Sequence, residues 1–156
     1  AAASAGISLT LRGVARDIRF VTAHSQRGAA LDLEWSELAR AGTTLAFYMG
    51  RDAASEISRQ LIAAGMPVET PVLIACNISL PGESLLSTRL DLLGLATQAV
   101  AMAAPTLILV GEAVEVAGGH RLTEPVVARI KGSRRECAAT AGLPSPAGRE
   151  GKRQIR

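Results

Sequence analysis

With 156 residues, of which 48% are hydrophobic and 20% charged, the chain lies in the ordinary globular range and is long enough to bury one core. One Trp, one Tyr and two Phe leave that core to Ala, Leu, Ile and Val, and leave few platforms on which nucleic-acid bases could stack. The net charge of +3 is uneven, because residues 131–156 carry +5 and residues 1–130 carry −2; with no Lys/Arg stripe on a helix and no interleaved aromatics, that basic excess reads as a solvated tail and argues against a nucleic-acid partner.

Taken in chain order, "DIRFVT" (Asp17 to Thr22) alternates and places Ile18, Phe20 and Val21 on a strand that ends near Ala23 and His24. A loop containing "SQRG" follows. Asp32 is a candidate N-cap for a short helix in which Trp35, Leu38 and Ala39 share a face, with Gly42 as its stop. "TTLAFYMG" is a compact β-branched and apolar strand from Thr43 to Met49, ended by Gly50.

Asp52 is a candidate cap for the next helix, in which Ala53, Ile57, Leu61 and Ala64 recur at helical spacing until Gly65 and Pro67. "TPVLIAC" is a near-continuous apolar strand of the kind covered on both faces. "ESLLSTRLDLL" predicts a strand near Leu85 to Arg89, then a helix from about Asp91 to Ala103, and "TLILVGEAV" is the last strong strand. Strands alternating with helices give an α/β layered fold. Residues 132–156, rich in Gly, Pro, Ser and basic side chains, read as a disordered or loosely attached tail.

The common catalytic constellations are missing from this pattern. His24 and His120 are far apart and lie in no HExxH frame, so no metal site is expected. Cys76, inside an apolar run, reads as a small core residue; with Cys137 in the tail it makes no disulfide framework, which points to a reducing cytoplasm. No run of about 18 apolar residues is available to span a bilayer, and the N-terminus lacks the apolar region of a signal peptide, so no membrane partner is expected. The first residue is Ala1, which suggests a start inside a longer protein. What remains is positional: the ends of "LAFYMG" and "VLIACNIS" fall where strands give way to loops, the edge at which open α/β sheets bind ligands.

Four blocks occur in order: "AGISLTLRGVARDIRFVTAH", "LARAGTTLAFYMG", "LIAAGMPVETPVLIACNIS" and "PTLILVGEAV". Together they resemble the second half of the uroporphyrinogen-III C-methyltransferases, tetrapyrrole methylases that also form the C-terminal part of sirohaem synthase. The usual family forms are AGIPLTHRG…VTGH, FYMG and PALIIVGEVV, and the match runs from Ala3 to Val116 in register. The resemblance implies the C-terminal α/β subdomain of such an enzyme, a mixed sheet flanked by helices over residues 1–116, with 117–156 as a basic extension. It implies S-adenosyl-L-methionine as methyl donor, uroporphyrinogen III as substrate, precorrin-2 as product and a homodimer in the full-length enzyme. The sulfonium methyl is already activated, so such a protein mainly supplies proximity and alignment.

Residue by residue, the family's FYMG methionine falls on Met49, which would pack against the cofactor's adenosine, and is otherwise a strand-end core residue. The family's Gly or Ala after the next strand falls on Ile78, and the residue after the Pro that opens the last strand falls on Thr106. Arg12, in the block that resembles LTHRG, could pair with a substrate carboxylate or form a plain surface ion pair. Ser8, Leu11 and Ala23 depart from the family's Pro, His and Gly. The GxGPGD loop, the RLKGGDP segment and a Thr-Ala pair, all upstream in the family, are not in this chain, so it would supply one wall of the site. Two alternatives stay open: a non-catalytic binding or dimerisation module, and another precorrin methyltransferase.

Overall fold

The computed structural model describes residues 1–23, 31–100 and 104–115, all within a compact unit spanning Ala1–Thr123. His24, the "SQRG" loop, His120, Cys137, the boundary at 116/117 and the tail lie outside the described residues. The helix expected from about Asp91 to Ala103 is shorter, ending at Gln98, where the Ala99 amide turns back to the Ala96 carbonyl.

A first short helix, α1, covers Ala2–Ala5 and closes on Gly6 in the left-handed conformation. Strand β1 covers Asp17–Thr22, α2 Trp35–Leu38, β2 Thr43–Tyr48, α3 Ala54–Ala63, β3 Pro71–Cys76 and β4 Ser84–Arg89. A 3-10 turn at Leu90–Leu92 leads into α4, Leu93–Gln98; β5 covers Thr106–Val110 and a second 3-10 turn covers Glu112–Val114. All five expected strands are present, four to within a residue or two at their ends, because each is a β-branched or aliphatic run bounded by turn residues; the last, expected over "TLILVGEAV", stops at Val110, where Gly111 at φ +138° turns the chain into the 3-10 turn.

The helices differ more. Neither expected aspartate caps: α2 follows Glu34 and α3 follows Ala53, and no side chain bonds an N-terminal amide in either. Helix α3 instead forms because Ala54, Ile57, Ser58 and Leu61 are buried along one side. Burying the two larger aliphatics, Ile57 and Leu61, contributes roughly 3–6 kcal/mol, several times what a cap supplies. Gly65, at φ +100°, stops the helix as expected.

The strands form one mixed sheet in the order β1-β2-β5-β3-β4. β1 and β2 run parallel, while β5 lies antiparallel to both β2 and β3, and β4 antiparallel to β3. β5 therefore fills the gap between two strands that point the same way, and the carboxyl ends of β1, β2 and β3 share an edge with the amino end of β5.

Alternation divides the side chains between two faces. Leu45, Phe47, Val72, Ile74, Cys76, Ile108 and Val110 meet Leu38 of α2, Ile57 and Leu61 of α3, and Leu90 and Leu93 in the main core. The Ser58 hydroxyl donates to the Leu90 carbonyl at 2.6 Å, fastening α3 to the turn before α4. On the opposite face, Ala46, Leu73 and Leu109 are covered by Ala5, Ile7, Leu9 and Val114. Phe20 and Tyr48 share that second face but lie beyond this cover, 63% and 47% exposed, their ring centroids 6.3 Å apart. Among the described residues, no helix is long and apolar enough to cross a membrane.

Candidate functional site

Register fixes the geometry of the shared edge. Tyr48, the last residue of β2, pairs with Leu107, and Cys76, the last of β3, pairs with Thr106, the first of β5. The ladder continues one step further, since the Asn77 amide donates to the Pro105 carbonyl at 3.0 Å. Met49 therefore follows β2 across from Thr106, while Ile78 lies in the turn after β3, one residue past Asn77, so that all three belong to the same edge of the sheet.

The backbone at this edge is unusual. The described non-glycine residues with left-handed φ are Met49 at 53°, Asn77 at 50° and Ser79 at 62°, and all three belong to the turns leaving β2 and β3. Asn tolerates that region; Met does not without a cost of about 1 kcal/mol or more. The neighbouring Gly50 cannot exchange places with Met49. A Cβ on Gly50 would lie 3.1 Å from Ile57 Cδ1 and 3.2 Å from Phe47 Cβ, so the chain needs glycine there for space. Met49 takes the positive φ, and its side chain stays 59% exposed at the edge. The Ala23 amide donates to the Tyr48 carbonyl at 2.8 Å, so this loop is also tied to the end of β1.

The side of β5 is held by a small polar relay. Thr106 Oγ1 donates to the Ala104 carbonyl at 2.9 Å and lies 3.4 Å from Cys76 Sγ. With its one proton given to Ala104, the hydroxyl accepts from the Cys76 thiol and keeps a lone pair free for a donor placed at the edge. Beyond Asn77, the loop closes on itself: the Glu83 carboxylate accepts from the Ser79 amide at 2.8 Å, and the Leu80 amide donates to the Asn77 carbonyl at 2.8 Å. Ile78 is half-buried within this loop.

Of the four residues expected to form a site, Met49, Ile78 and Thr106 are brought together and Arg12 is not. Arg12 is exposed in the turn before β1, at the other end of the sheet, so roughly 17–20 Å of strand separates it from Met49. That opposite end holds a cleft of about 500 Å³ lined by residues including Gly13, Arg16, Arg19, Arg40 and Glu112. Its cations are largely matched: Arg19 pairs with Asp17 and Glu37, and Arg40 with Glu37 at 3.1 Å. The cleft and the three-strand edge are separate places, and the residues expected to meet the cofactor lie at the edge.

Sequence reasoning missed Arg51, Asn77, Ser79 and the Cys76 contact. Asn77 carried a signal, since Asn directly after an apolar strand favours a left-handed turn; the other three depend on which strands become neighbours.

Fold and edge together describe a mixed-sheet α/β domain with an antiparallel strand set between two like-directed ones and a strand-end edge made of turns and an exposed thioether. The family model of the tetrapyrrole (corrin/porphyrin) methylases matches residues 1–93, and the chain belongs to that family. A uroporphyrinogen-III C-methyltransferase of Paracoccus denitrificans (strain Pd 1222) is 44% identical over 117 residues, covering 75% of this chain and 41% of the relative. A siroheme synthase of Gluconacetobacter diazotrophicus is 37% identical over 124 residues, covering 80% of this chain and 26% of the relative. Among solved structures, uroporphyrin-III C-methyl transferase from Thermus thermophilus complexed with S-adenyl homocysteine is similar, with 30% identity and a TM-score of 0.61. That match covers 74% of this chain and 50% of the other. The chain thus spans half or less of the length of these relatives.

Proposed function

We propose that this chain supplies one wall of an enzyme that transfers methyl groups from S-adenosyl-L-methionine to uroporphyrinogen III, giving precorrin-2. The observation that carries the reading is the 44% identity to a uroporphyrinogen-III C-methyltransferase over three quarters of the chain. The edge suits the cofactor chemically. An adenosine needs an apolar surface for its ring and polar partners at the ring's rim, and the edge offers the Met49 thioether and Ile78 with the free lone pair of Thr106. Ile78 is larger than the family's usual Gly or Ala, and in this reading its side chain, half-buried in the turn, adds to the apolar wall.

When bound, the cofactor supplies an already activated sulfonium methyl. The residues of this chain would bind and align it: Met49 packs on the adenosine, Thr106 accepts a hydrogen bond from its rim, and Ile78 keeps water from the ring. Arg12 lies outside this cluster, and we assign it a separate role, pairing with a substrate carboxylate; Arg12→Ala would then raise the KM for the tetrapyrrole and leave cofactor affinity unchanged. The rest of the site would come from a segment resembling the other half of the relatives, in a homodimer. A cytoplasmic location belongs to the same reading, with the free Cys76 thiol buried in a reduced core.

Calorimetric titration with S-adenosylhomocysteine tests this. Saturable binding, weakened about 10-fold by Met49→Ala, supports the reading. The alternative reading is a non-catalytic binding or dimerisation module. A folded chain that binds no S-adenosylhomocysteine, alone or joined to the upstream half of a relative, would establish that alternative instead.

A further inference from the structure

We infer that Arg51 is the positioning residue of the cofactor edge, holding Met49 in its left-handed conformation through a clamp on the carboxyl end of α4. The inference rests on the reading that this edge takes S-adenosyl-L-methionine. Arg51 lies two residues beyond Met49, just past the family's FYMG block. Its Nη2 donates to the Val100 carbonyl at 2.8 Å and to the Thr97 carbonyl at 3.3 Å. The Thr97 carbonyl belongs to the last turn of α4, where carbonyls lack a partner within the helix, and Val100 lies two residues past its end. The two N–H groups of Nη2 thus tie Arg51 both to the helix end and to the segment that leaves it.

Why a clamp is needed follows from the strain at Met49. A non-glycine residue in the left-handed region persists only where its surroundings over-determine it. Three constraints surround Met49. The Ala23 amide holds the Tyr48 carbonyl before it, Gly50 packs tightly on Ile57 and Phe47 after it, and Arg51 fixes the following residue to α4. Helix α4 is a firm anchor because its Leu93 and Thr97 are buried and its Gly94 lies so close to α3 that a Cβ there would sit 3.2 Å from Ser55 Cα. The clamp joins the wall bearing Met49 to the helix that precedes the Thr106 wall. Without it, the loop is free to relax Met49 to negative φ and draw its thioether away from the edge.

The test compares the full chain with Arg51→Met and Arg51→Lys variants. The backbone and Cβ chemical shifts of Met49 report its φ, and those of Asn77 and Ser79 serve as internal controls. Arg51→Met is expected to abolish the positive-φ signature at Met49 while Asn77 and Ser79 keep theirs, and to weaken S-adenosylhomocysteine binding about 10-fold. Arg51→Lys, which can reach one carbonyl, is expected to restore part of both, and it carries the comparison should Arg51→Met not fold. The inference is overturned if Met49 keeps its signature in the variants, or if all three residues lose theirs together, which would mark Arg51 as a general contributor to folding. Failure of the unaltered chain to bind S-adenosylhomocysteine counts against the proposed function, while the shift pattern still decides whether Arg51 positions Met49.

Discussion

At the scale of single residues, two glycines of the family-like blocks have distinct physical duties. Gly50 has an ordinary φ and is needed for space, so its neighbour Met49 bears the unusual conformation. Gly111, after β5, needs both freedoms at once: φ is +138°, and an added Cβ would lie 3.0 Å from the Thr43 carbonyl oxygen and 3.3 Å from Thr44 Cα. Both obstacles are backbone atoms of β2 and cannot rotate away. Gly111→Ala is therefore expected to destabilise the fold by about 2–4 kcal/mol, combining conformational strain with overpacking. Urea titration would measure it, and a loss below about 1 kcal/mol would mean that β2 and β5 separate more easily than their paired register suggests.

Among the elements, strands were legible in the sequence and helix starts were not, for a shared reason. A buried strand announces itself by composition, as in Thr43 to Tyr48 or Pro71 to Cys76, because both of its faces meet apolar groups. A helix start depends on local backbone bonds, and Asp32 and Asp52 had the right chemistry one to two residues too early. The ladder order was also hidden, because nothing in "TLILV" says that it will insert between β2 and β3. For that reason Met49, Ile78 and Thr106 could be matched to family positions, but their adjacency, the Cys76 relay and the Arg51 clamp could not be foreseen.

Helix α3, which forms by burial, also carries a charged hydrogen-bond cluster in its first turn. Glu56, in its first turn, accepts from Arg59 and from Gln60 at 2.7 Å. The Arg59 hydrogen bond, then that from Gln60, holds its carboxyl below the ordinary carboxylate range. A lowered pKa in the folded chain gives stability that is present above the unfolded value and lost as pH falls through the folded one. The Tm advantage of the unaltered chain over Glu56→Gln is therefore expected to be fully present at neutral pH and to be lost as pH falls through the carboxyl's own lowered pKa. A difference that persists unchanged into acid would assign the effect to packing. Glu56 is solvent-facing and the advantage will be small.

For the whole molecule, the question is how much of the chain the fold needs. Among the described residues, the main core and the second cluster are built from residues between 5 and 114, and the family model ends at residue 93. Residues 132–156 contain just two large aliphatic side chains, Leu143 and Ile155, among their glycines, prolines and charges. If both were buried against the domain, removing them would cost roughly 3–6 kcal/mol, which in a chain of this size lowers Tm by about 6 °C or more. We expect instead that a chain ending at Lys131 melts within about 2 °C of the full one and binds S-adenosylhomocysteine equally well. The two outcomes are separated by more than the error of a melting curve. A loss of 6 °C or more would make the basic extension part of the folded unit, and an unchanged Tm with weakened cofactor binding would bring it to the Met49 edge.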